Sequence, residues 1–117
     1  MWLMTKYGFY SIVQKEPDVY HVRSRELQDI NNLVQKIPLP DANISESDVA
    51  DYAVRILVGQ NDLLKILAFL GNSLDYPNFK NEVGLHSDQS CKPYHDVWGL
   101  LADSLGSYGQ PGEAPKF

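Results

Sequence analysis

The stretch MWLMTKYGFYSIVQKEPDVYHVRSR, residues 1–25, decides the fold. Two runs rich in aromatic and β-branched residues flank a short Lys15-Glu16-Pro17-Asp18 turn, which is the pattern of a β-hairpin. Side chains alternate along a strand, so Val19, His21, Arg23 and Arg25 share one side of the second arm and Tyr20, Val22 and Ser24 share the other. One face of that arm is therefore basic. On the first arm both alternating sets, Phe9, Ser11, Val13 and Tyr10, Ile12, Gln14, hold apolar residues, as a central strand requires. Met1 to Thr5 is a further apolar run, set off as a separate strand by the break at Lys6-Tyr7-Gly8.

Beyond the hairpin, Ser24 is placed to cap a helix whose apolar positions Leu27, Ile30, Leu33, Val34 and Ile37 recur at helical spacing. Pro38 and Pro40 end it, and the acidic stretch 41–51 reads as a surface connection. Tyr52 to Val58 alternates as a strand, with Arg55 its single charge. Asn61 can cap a second helix with Leu63, Ile66, Leu67 and Leu70 as its buried stripe, ending near Gly71. A third helix opens at Asp75-Tyr76-Pro77, with Gly84 as its end. A last helix starts at Pro93 and turns Val97, Trp98, Leu101 and Leu105 to the core. This order predicts an α+β fold of two layers, an antiparallel or mixed sheet of three to four strands with helices on one face. Residues 1–105 form a single domain in this reading, and the Gly- and Pro-rich residues 106–117 form a disordered tail.

Composition narrows the function. The chain has 117 residues, 44% of them hydrophobic and 21% charged, values typical of a globular domain that needs no disulfide or metal to hold its core. Ten basic against fifteen acidic residues leave a net charge of −5, which argues against a dedicated nucleic-acid binder. Cys91 is the single cysteine, which fits a reducing cytoplasm. The opening residues lack the pattern of a secretory signal, and no apolar run is long enough to span a bilayer, so no membrane association is expected.

Several clusters could carry chemistry. His21, Arg23, Arg25 and Arg55 form a candidate anion-binding face if the strands pair so that they converge, since guanidinium forks suit phosphate and carboxylate. Tyr20 or Tyr52 could stack on bases beside them. Against this stands ordinary ion pairing of the same arginines with Asp18, Glu26 or Asp51. His86, Asp88, Cys91 and His95 are weak metal-ligand candidates whose spacing matches no strong zinc signature. Tyr94, His95 and Asp96 could take part in acid–base chemistry only with a partner from elsewhere, such as His21 or Asp75, because adjacent helical positions diverge. No nucleophile elbow, glycine-rich phosphate loop or HExxH motif occurs, so the balance leans away from an enzyme and no cofactor is expected. Tyr76, Phe79 and Lys80, at the start of the third helix, are a candidate partner-binding surface.

The opening Met1-Trp2 through Gly8-Phe9-Tyr10-Ser11-Ile12-Val13, the Val22-Arg23-Ser24-Arg25 strand end, and Asp75-Tyr76-Pro77-Asn78-Phe79-Lys80 followed by Tyr94-His95-Asp96-Val97-Trp98 together resemble a family of small uncharacterised bacterial proteins. The resemblance covers most of the chain up to about Leu105. It implies a standalone cytoplasmic domain and carries over no catalytic residue. The expectation is a small cytoplasmic protein-interaction module, either a homodimer or a binder of another protein. It would act through its open sheet face or the Tyr76 to Lys80 helix start. The alternative is a small enzyme or anion-binding protein that uses the basic face.

Overall fold

In the computed structural model the hairpin sits at the centre of a five-stranded antiparallel sheet, β1 (Trp2–Thr5), β2 (Gly8–Glu16), β3 (Val19–Ser24), β4 (Ser45–Glu46) and β5 (Val54–Val58), in the order β1-β2-β3-β5-β4. The structure describes residues 1–79, 81–82 and 88–105, and of residues 88–91 the backbone alone. Among the described residues three longer helices accompany the sheet, α1 (Leu27–Lys36), α2 (Gln60–Asn72) and α3 (Asp88–Leu105). The fold is α+β, with five strands rather than three to four. The additional strand is β4, two residues inside the acidic connection that pair with Arg55 and Val54. So short a strand leaves no alternation to read.

One side of the sheet is dry. Tyr10, Ile12, Val22, Val54, Ile56 and Val58 point to it and pack against Ile30, Leu33 and Ile37 at α1 and Leu63, Ile66 and Leu70 of α2. Full burial of each such side chain contributes roughly 1.5–3 kcal/mol. Helix α1 lies over β2, β3 and β5, and α2 over β3 and β5.

The break after β1 is a tight turn ending at Gly8, whose φ of +150° is open only to glycine. A Cβ there would also lie 2.3 Å from the Asp29 Cγ. Asp29, on the first turn of α1, uses this gap to accept the Phe9 backbone N–H (3.2 Å), and its carbonyl accepts the Tyr10 hydroxyl (2.7 Å). Burial pushes the Asp29 carboxyl up from its ordinary 3.8 to about 6, the Phe9 hydrogen bond opposing the rise.

The helix boundaries depart from the sequence reading in four places. Ser24 closes β3 and its hydroxyl donates to the Glu26 carbonyl, so Glu26, not Ser24, is the cap residue of α1. Helix α2 starts at Gln60 with Gly59 as cap residue, and the cap oxygen comes from across the sheet. Asp18, held at φ +63° in the hairpin turn, accepts the Gln60 N–H at 2.7 Å, so Asn61 is not needed. Helix α3 begins five residues before Pro93, which lies inside it at the expense of one backbone hydrogen bond. The third helix does not open at Asp75-Tyr76-Pro77 but starts at Phe79, with Asn78 as its cap residue, whose side chain and carbonyl accept the N–H groups of Asn81 and Glu82. Its end at Gly84 and the tail 106–117 lie outside the described residues.

Helix α3 also departs from the expectation for its apolar face. Tyr94 is buried, its ring 5.5 Å from that of Phe79, but Trp98 and Leu101 are 57% and 49% exposed and Leu105 more so. The core expectation fails for these residues because the packed layer is already filled by α1 and α2. A cavity of about 340 Å³ lies between Met4, Pro77, Phe79, Tyr94, Val97 and Trp98. No helix among the described residues is long and apolar enough to cross a membrane.

Candidate functional site

The face of the sheet turned away from α1 and α2 is built by the odd-numbered positions of β3. Antiparallel register lines up Trp2, Ser11, Arg23, Arg55 and Ser45 in one row across all five strands. Val13, His21 and Leu57 form the row on one side of it, and Met4 and Phe9 the row on the other. Successive rows on one face are about 7 Å apart, two residues along the strand. A cationic row is thus bracketed by two largely apolar ones.

Arg23 and Arg55 are direct cross-strand partners, an arrangement that costs stability for like charges. Each is nonetheless held in place. Arg23 donates to the Ser11 hydroxyl (2.7 Å) and more weakly to the Ser11 carbonyl (3.4 Å), which explains why Ser11 is buried on an otherwise open face. Its guanidinium carbon also lies 4.6 Å from the centre of the Tyr52 ring, with that of Arg25 at 4.7 Å. Arg55 makes a 3.2 Å contact with the His21 Nδ1. Desolvation, followed by the positive charges of Arg55, Lys15 and Arg23, lowers the His21 pKa, so the imidazole is neutral at physiological pH and accepts from Arg55.

The expected ion pairs of these arginines are not made. Asp18 is engaged at the start of α2, and Asp51 offers Arg25 its backbone carbonyl (2.9 Å). Among the described residues no carboxylate lies within ion-pair distance of Arg23, Arg25 or Arg55, and the described ion pairs are Lys6–Asp75, Lys65–Asp62 and Lys92–Asp96. Around the row are Trp2, 72% exposed and edge-on to Phe9 at 5.8 Å, the half-buried Val13, and Leu57, 46% exposed.

The structure therefore brings His21, Arg23 and Arg55 together on one face, with Arg25 at its margin over Tyr52. The stacking roles proposed for the tyrosines fail. Tyr52 is 8% exposed beneath the two guanidiniums, and Tyr20 lies on the helix side, packed against the core. The residues missed by sequence reasoning are Ser11, Trp2 and Leu57. A serine inside an apolar strand, directly across from an arginine, would have been the signal for the first.

The other candidates are placed less tightly. Tyr76 is half-buried near Lys6, whose ammonium lies 5.9 Å from its ring and 2.9 Å from Asp75. Phe79 stacks on Tyr94, and Lys80 lies outside the described residues. Of the metal candidates, His86 and the side chains of Asp88 and Cys91 lie outside the described residues, and His95 is exposed on α3. No group of three or more His, Cys, Asp or Glu among the described residues could hold a metal ion. Asp96 pairs with Lys92 along α3 and Asp75 with Lys6. Compared with protein-family models, curated proteins and solved structures, the chain matches none.

Proposed function

We propose that the chain is a small protein-interaction module that docks a partner protein on the face of its sheet turned away from α1 and α2. The observation that carries this reading is the composition of that face. It holds an exposed Trp2 and Leu57, Phe9 and Val13 partly open, and two positioned arginines. Tryptophan and arginine set in an apolar surround are the side chains that dominate protein–protein hot spots. A reducing, cytoplasmic setting belongs to the same proposal, since Cys91 has no second cysteine in the chain to pair with.

A second copy of the chain is the less favoured occupant. A face-to-face twofold pair would bury Arg23 and Arg55 of both copies, and among the described residues no carboxylate lies within ion-pair distance of either.

The test is purification of the tagged chain from its own host, read by native mass spectrometry. The wild type is expected to carry a stoichiometric second polypeptide. The Trp2→Ala/Leu57→Ser double variant should lose it, and Leu64→Ser, at an exposed position of α2, should keep it. A bare wild-type chain, or equal loss in both variants, would refute docking on the sheet; a mass of two identical chains would hand the face to a second copy.

A further inference from the structure

From the Arg23–Arg55 pair and the apolar rows beside it, we infer that the partner presents an acidic peptide segment, with a carboxylate received by the two guanidiniums and apolar side chains on either side of it. The inference rests on the docking reading above and specifies its chemistry.

Its basis is geometric. Arg23 and Arg55 occupy directly opposed positions of neighbouring strands, so their Cβ atoms are about 5 Å apart. Arg23 is fixed by Ser11 and Tyr52, and Arg55 is steered by a neutral imidazole that accepts one of its N–H groups and supplies no countercharge. The pair is thus ordered before any ligand arrives, which lowers the entropy lost on binding. Among the described residues no carboxylate neutralises it, although the chain as a whole has five more acids than bases. A partner carboxylate would relieve the like-charge repulsion and gain charge-assisted, bidentate hydrogen bonds.

The neighbouring rows set the rest of the specificity. Val13 and Leu57 flank His21 on one side of the pair, Phe9 lies on β2 toward the other side, where Arg25 follows Arg23 on β3, and Trp2 closes the end of the cationic row. An acidic residue flanked by leucine, phenylalanine or similar residues matches that sequence of charges and apolar surfaces. A nucleic-acid backbone matches it poorly, because it demands a longer run of cations than this row supplies and the net charge of −5 would repel it.

The experiment is selection of a random peptide library on the immobilised full chain, followed by affinity measurement on the enriched peptides. Enrichment of Glu or Asp beside apolar residues is expected. Glu→Gln in the leading peptide, Arg55→Gln and Arg23→Gln in the protein should each weaken binding about tenfold, the value of roughly one charge-assisted contact. Arg55→Gln is the decisive variant, because Arg23 also braces Ser11 and its loss could disturb the sheet. If the enriched peptides lack acids and ignore Arg55→Gln but are lost with Trp2→Ala/Leu57→Ser, the face docks a partner and the acidic inference is wrong. Peptides insensitive to all of these variants, or no enrichment over bare resin, would overturn both readings. Arg55-dependent binding that is tighter for a phosphoserine peptide or a short oligothymidine than for the carboxylate peptide would overturn the inference in favour of phosphate.

Discussion

The two sides of β3 differ within one residue step. Tyr20, Val22 and Ser24 face a layer closed by two helices, where polar groups are either absent or bonded internally. His21 and Arg23 face outward onto a surface where two cations occupy opposite positions and, among the described residues, no acid pairs with either. The first side is arranged for stability, since its contents are those that gain most from leaving water. The second forgoes stability at the Arg23–Arg55 pair, and such a departure from local preference is where a binding role is to be sought.

The comparison predicts unequal sensitivity along β5. Ile56→Ala empties a fully buried position under α1 and α2 and should cost about 3–4 kcal/mol in urea unfolding. Leu57→Ala, its immediate neighbour on the open face, should cost less than about 1 kcal/mol. Equal costs would mean that something covers the second face in the free chain.

A smaller effect probes the one buried carboxylate of the dry side. The folded-state pKa of Asp29 lies above its unfolded value, so the folded protein binds the proton more tightly and this group favours folding below the ordinary carboxylate range. Its contribution is lost as pH rises from about 4 through about 6. Asp29→Asn should remove that slope and stabilise the protein by about 1–2 kcal/mol at pH 7, less than the full linkage value because solvent and the start of α1 partly screen the charge. Unfolding curves for both proteins should converge near pH 4. Parallel curves from pH 4 to 7 would show that the Phe9 hydrogen bond offsets burial completely.

The smallest effect has the opposite sign from a usual loss of contact. Arg55→Leu should raise stability by about 0.5 kcal/mol at low salt, by relieving repulsion with Arg23, and the gain should shrink as salt screens the pair. A destabilised Arg55→Leu protein would make Arg55 a structural residue and return the open face to an ordinary surface.

Much of the fold could be read from the chain because β2, β3, β5, α1 and α2 each bury a periodic apolar set, and periodicity survives in the sequence. The alternation of His21 and Arg23 likewise exposed the basic side before any strand pairing was known. What the sequence withheld are matters of register and competition. That Arg55 falls opposite Arg23, or that Tyr52 lies under two arginines, depends on how strands slide against each other, which no single strand encodes. The apolar stripe of α3 looked like the stripes of α1 and α2, yet those two had already filled the layer. The cap of α2 came from Asp18, forty-two residues away.

The contact between Gly8 and Asp29 has a consequence for the heredity of the chain. The carboxylate occupies the space that any side chain at position 8 would need, and the backbone there holds an angle that other residues rarely adopt. The two positions therefore behave as one locus. A lineage that gave up the glycine would have to shorten residue 29 and rebuild the turn in the same step, whereas a lineage that kept it could vary the exposed Leu57 or Trp2 one at a time on an unchanged frame.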